Sequence, residues 1–147
     1  MIALNPEFRL VPWPSTLTEY CDPLGRYAET YWLPHLFPTA YALGRRLVTL
    51  TAQQQASGER VPVSSAVLAQ ALGLEPHYSA QVFVRALDKL RAYGFVRARG
   101  SANLAVRLVW PRLASSKLAV LPVEMQRAEP EHWAIAQQGG VVEFAPL

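Results

Sequence analysis

A chain of 147 residues, 51% of them hydrophobic and with a mean hydropathy of +0.09, can bury a real core and is not a disordered tail. Its single cysteine, Cys21, excludes an internal disulfide. No stretch reaches the roughly 18 uninterrupted apolar residues of a membrane span, and "MIALNPEFRLVPWP" lacks the basic start and apolar run of a signal peptide, so a cytoplasmic protein is expected.

The net charge of +3 is unevenly spread. Residues 1–60 balance, and residues 118–147 are acidic. Residues 85–117 hold eight basic side chains (Arg85, Lys89, Arg91, Arg97, Arg99, Arg107, Arg112, Lys117) against Asp88 alone. Twelve of the fourteen basic residues are arginine, whose planar fork suits phosphate and guanine edges. The plain alternative is a solvated basic face.

In chain order, residues 1–21 read as an irregular arm rich in proline and tryptophan. Asp22 and Pro23 open a short helix, "PLGRYAETYWL", which Pro34 ends. A second start at Pro38 begins a long helix with Tyr41, Leu43, Leu47, Val48 and Leu50 as its apolar positions, stopped at Ser57-Gly58. "RVPV" is briefly extended. Ser64 caps the helix "SAVLAQALG", which Gly73 closes. A third helix runs from Ser79 to about Tyr93, with Phe83, Ala86, Leu87 and Leu90 on its core side. Tyr78, Gln81, Arg85, Asp88 and Lys89 fall on the other side. After Gly94, "FVRAR" and "LAVRLVW" form a hairpin around Gly100–Asn103. Its return strand puts Leu104, Val106, Leu108 and Trp110 on one buried face and Arg107 on the other. "SSKLAVLPVEMQRAEPEHWAIA" gives one or two short helices, followed by a tail over 139–147.

Short helix, glycine turn, second helix and hairpin together make a helix-turn-helix with a wing. The expected fold is mainly α with a small β hairpin, a winged helix-turn-helix with N- and C-terminal helical extensions. Its parts are an arm and short helix (1–37), the winged domain (38–113), and a C-terminal helical extension and tail (114–147). In such a module the third helix offers its first turns to the major groove, where side chains reach base edges. Its N-terminus, with unpaired N–H groups and a positive dipole end, favours phosphate.

"VPVSSAVLAQALGL…SAQVFVRALDKLRAYGFVRARGSANLAVRLVWPRL" resembles the winged helix-turn-helix domains of bacterial transcription regulators. "LAxALGL", "ALxxLxxxGFV" and the Gly-tipped hairpin carry the match. "WLPHLFPTAYALGRRL" and "LPVEMQRAEPEHW" are similar to small, uncharacterised winged-helix proteins of high-GC bacteria, where Gly usually stands in place of Phe37.

The candidate DNA-binding residues follow. Arg85 and Gln81, one turn apart, suit guanine and adenine edges, or else are ordinary solvated surface. Tyr78 and Ser79 suit phosphate oxygens, though Ser79 also serves as a plain cap. Lys89 supports them. Arg97, Arg99, Asn103 and Arg107 suit the backbone from the wing, or else protect a hairpin edge. Asp88 opposes this reading, since it repels phosphate or pairs with Arg85 or Arg91. His35, His77 and His132 are scattered and lack metal-ligand spacing with Cys21. No phosphate loop or nucleophile elbow occurs, so no enzyme, metal or cofactor is expected.

The expectation is therefore a nucleoid-associated regulator of double-stranded DNA with no membrane partner, a homodimer through its terminal extensions. Two alternatives remain open. One is a winged-helix module that docks on a protein partner; the other is a replication-associated or architectural DNA binder with little sequence preference.

Overall fold

The computed structural model describes residues 2–74 and 79–138. Its contacts divide the chain into two compact units, each discontinuous in sequence. One comprises residues 1–15 and 36–108; the other comprises residues 16–35 and the chain from Val109 onward.

The first unit begins with strand β1 (Glu7–Trp13) where the sequence suggested an irregular arm. Helix α1 (Leu33–Ser57), most of which lies in this unit, leads to the two-residue strand β2 (Val63–Ser64). Helices α2 (Ser65–Ala71) and α3 (Ser79–Ala92) follow, then strands β3 (Val96–Arg99) and β4 (Asn103–Arg107). The four strands form one mixed sheet in the order β2-β1-β4-β3. Strand β1 runs parallel to β4, with Leu10 opposite Leu104, and antiparallel to β2. The architecture is thus mixed α/β, which corrects the mainly helical fold with a small hairpin expected from sequence.

The physical reason lies in "EFRLVPW". Phe8 and Leu10 are buried while Glu7 and Arg9 are exposed, which is the alternation of a strand. Pro12 masks that pattern, because proline cannot donate to a ladder. Strand β2 covers only Glu7 and Phe8, so Pro12 sits where one edge of β1 is free of a strand partner.

Insertion of β1 changes β4 as well. Flanked on both sides, β4 has Leu104, Ala105 and Val106 all buried, so the expected return strand with a single buried face is not seen. Phe8, Leu10, Leu43, Leu47, Leu68, Phe83, Leu87, Leu90, Val96, Leu104 and Val106 make the core of this unit.

Local signals set the ends of the short helices. The Ser64 hydroxyl accepts from the Val67 amide at 3.3 Å, capping α2. At the end of α3 the Phe95 amide donates to the Leu90 carbonyl and the Gly94 amide to that of Arg91, both at 2.9 Å. Gly94 has φ +76°, as this double-bonded stop requires.

Helix α1 is broken at Phe37, whose φ of 65° and ψ of 163° are not helical. A proline biases the residue before it to extended ψ and is itself well placed in a first helical turn, so Pro38 both breaks the helix and restarts it. Upstream, Pro34 does not stop the chain as the sequence suggested. A π-helical turn (Ala28–Trp32) widens the helix there, where the proline ring would otherwise meet a carbonyl of the preceding turn.

The second unit contains that π turn, helix α4 (Ser115–Leu118) and helix α5 (Val123–Gln137). Cys21 and Trp110 exchange backbone hydrogen bonds at 2.8 and 3.0 Å. Tyr27, Tyr31, Trp32, Trp110, Leu113 and Trp133 are buried. Among the described residues, no helix is long and apolar enough to cross a membrane.

Candidate nucleic-acid interface

Helix α3 sorts its side chains as its periodicity dictates. Phe83, Ala86, Leu87 and Leu90 are buried, and Gln81 and Arg85 are exposed one turn apart. Neither the Gln81 nor the Arg85 side chain makes a hydrogen bond or ion pair with another described residue. A shallow hollow lined by Ala80, Gln81, Val84, Arg85 and Asp88 lies along this face. Lys89 is half-buried, and its ammonium stands over the Phe37 ring. Tyr78, together with the neighbouring His77, lies outside the described residues, as does the side chain of Ser79; Ser79 itself opens α3.

Asp88 has a defined structural role. Its carboxylate accepts a hydrogen bond from the Ile2 backbone amide at 2.8 Å and lies 3.9 Å from Arg91. The pairing with Arg91 was among those expected; the contact with Ile2 was not visible in sequence. Asp88 thereby pins the N-terminal segment beside α3. A cleft of about 240 Å³ lies between residues 2–5, α2 and α3. Its lining includes Ile2, Leu4, Ala69, Phe83 and Leu87 and contains no titratable side chain.

On the β3–β4 hairpin, the Arg97 and Arg99 side chains are exposed and make no hydrogen bond or ion pair with a described residue. Asn103 is half-buried opposite Arg99. Arg107 is differently placed. Its Nε donates to the Gly94 carbonyl at 3.0 Å, one Nη donates to the Pro14 carbonyl at 3.3 Å, and its guanidinium lies 3.8 Å from the Trp13 ring centre. Those contacts make it an internal brace between β4, the turn after α3 and the end of β1.

Arg9 was missed in sequence. It pairs with Asn103, which pairs with Arg99, so the three form a row across β1, β4 and β3. The available signal was the alternation within "EFRLV", obscured by Pro12.

The second unit holds a buried polar cluster. The Tyr27 hydroxyl donates to Glu129 at 3.2 Å and accepts from the Leu113 amide at 3.0 Å. Arg112 grips both oxygens of Glu129 in a fork, with Nη2 at 2.9 Å from Oε2. The hydrogen bond to Glu129 raises the pKa of Arg112 further. Tyr31 and the His132 Nδ1 are 2.7 Å apart. Burial, followed by the charge of Glu129, pushes the Tyr31 hydroxyl from 10.0 up to about 12. Burial also raises Tyr27. It holds the Cys21 thiol protonated by raising it from 9.0 to about 12, with the Asp22 charge adding to the shift. These groups satisfy one another, as a packed polar core does. Among the described residues, no group of three His, Cys, Asp or Glu side chains is placed to hold a metal ion. No protein-family model, no curated protein and no solved structure matches this chain.

Proposed function

We propose that the unit formed by residues 1–15 and 36–108 binds double-stranded DNA in the manner of a winged helix-turn-helix transcription regulator. The observation that carries this reading is the outward face of α3. Gln81 and Arg85 stand one turn apart there, exposed and without a described partner. Both residue types pair with base edges through two hydrogen bonds. The order α1, β2, α2, α3, β3, β4 supports the same reading, as do the exposed Arg97 and Arg99. In the proposed mode α3 enters the major groove through Gln81 and Arg85. Arg97 and Arg99 contact phosphates and fix the register, as sequence-independent contacts do.

Selection of bound duplexes from a random pool, followed by salt titration on the recovered sequence, tests this. The expected result is an enriched motif whose log K falls with log[salt] by about 0.9 per phosphate neutralised. Salt-dependent binding without an enriched motif would favour an architectural binder. Absence of duplex binding would leave the basic face to an acidic protein surface.

A further inference from the structure

Strand β1 places an arginine where the sequence order alone does not. By register, Arg9, Asn103 and Arg99 occupy one cross-strand row, and Val11, Ala105 and Arg97 occupy the next. Residues paired in this way project to the same face of a sheet, so the exposed Arg9, Arg97 and Arg99 share the face opposite that of Phe8, Leu10, Leu104 and Val106 and surround the buried Ala105. Two strand spacings set the Arg9 and Arg99 backbones about 10 Å apart. Both side chains are exposed and make no hydrogen bond or ion pair with a described residue. Glu7 is the acid that shares this face on β1, and Arg107 on the same face is turned onto Trp13 and two carbonyls.

The row is held firmly. The Arg9 amide donates to the Ala102 carbonyl and the Asn5 amide to the Ser101 carbonyl, each at 2.8 Å. These bonds tie the start of β1 to the turn of the β3–β4 hairpin. Arg9 is therefore carried on a fixed strand, and little backbone freedom remains to be lost when it meets a ligand.

We infer that the wing's contact surface has three strands, with Arg9 of β1 a phosphate-binding residue beside Arg99 and Asn103. The ligand is the sugar-phosphate backbone of a duplex, and the inference rests on the DNA-binding reading above. An arginine in this position adds affinity without reading sequence.

The test uses the full chain and a mixed-sequence duplex two helical turns long, with affinity measured across a salt series. Arg9→Ala should weaken binding several-fold and lower the slope of log K against log[salt] by about 0.9. Arg9→Glu should lower it further, while Arg9→Lys should keep it. The sequence preference should remain unaltered in all three, and thermal unfolding of each should match the parent. An unchanged slope for both Arg9→Ala and Arg9→Glu, with Arg99→Ala still lowering it, would overturn this inference and leave the DNA reading intact. A parent chain that fails to bind the duplex would overturn both.

Discussion

The ammonium of Lys89 stands 3.9 Å from the centre of the Phe37 ring. The aromatic partner is itself unusual, being 59% exposed on a backbone with φ 65° and ψ 163°. That region is essentially reserved for glycine and costs other residues of order 1–3 kcal/mol. Comparison of Phe37→Gly with Phe37→Ala isolates the backbone, since both lose the ring. The glycine variant should be the more stable in urea by about 1–2 kcal/mol. Equal midpoints would show that the backbone at residue 37 carries no strain.

In the proposed DNA-binding mode, Arg85 and Gln81 should behave as surface residues in folding and as contacts in binding. Being exposed and without described partners, each should change stability by no more than about 0.5 kcal/mol when replaced by alanine. Arg85→Ala should cost about 1–3 kcal/mol on the preferred duplex and relax selectivity at one base position. Binding isotherms on that duplex and on single-base variants decide the matter.

Arg107 should show the opposite division. Its bonds to Gly94 and Pro14 and its stacking on Trp13 are internal. Arg107→Ala should lower unfolding stability by about 1–2 kcal/mol, for two hydrogen bonds and a cation–π contact on a partly exposed side chain. Lysine should not restore it, because an ammonium has no planar fork to bond and stack at once. A salt slope that falls in Arg107→Ala without loss of stability would move this residue onto the proposed nucleic-acid surface.

Arg112→Ala should destabilise the second unit more than any exposed substitution. It leaves the Glu129 carboxylate, whose side chain is 2% exposed, facing the Tyr27 hydroxyl without its cation. Removing one partner of a fully buried pair costs roughly 3–5 kcal/mol. The Arg112 side chain is 45% exposed, so water softens the loss and about 2–3 kcal/mol is expected. Replacing both, as Arg112→Met with Glu129→Leu, should recover much of it. Urea unfolding of the single and double variants measures the difference.

Stability should also fall in alkali. The unfolded chain releases the Cys21 proton near 9.0 and the Tyr31 proton near 10.0, whereas the folded chain holds both until about 12. Between those values the unfolded state binds fewer protons, so raising the pH favours it. The stabilisation is complete below about pH 9 and is lost toward 12, at up to about 1.4 kcal/mol per pH unit for each group. The urea midpoint followed from neutral pH into this window should decline, and Cys21→Ala should shift the onset upward. A flat profile would show that these groups titrate normally in the fold.

What sequence revealed, and what it hid, follows from the range of each signal. Helices α2 and α3 and the hairpin were legible because Ser64, Gly73, Gly94 and the spacing of Phe83, Leu87 and Leu90 act within a few residues. Strand β1 was not, because its ladder partner lies at Asn103–Arg107 and Pro12 breaks its pattern. The same distance concealed Arg9 beside Asn103 and Asp88 beneath Ile2. Arg107 looked like its neighbours Arg97 and Arg99, and the positions of Trp13, Pro14 and Gly94 separate it from them. The Tyr27–Glu129–Arg112 cluster joins distant segments by single side-chain contacts, which no periodicity announces.

The parallel pairing of β1 with β4 also governs the order in which the chain can be completed on the ribosome. Residues 7–13 leave the exit tunnel early, yet their ladder has to wait for residues 103–107 to be made. Until then Phe8 and Leu10 lack the strand that will cover them, while the intervening helices are free to form locally. Sheet closure should thus be a late event of high contact order. Slowing translation ahead of residue 103 should prolong the exposure of this segment to chaperones and proteases.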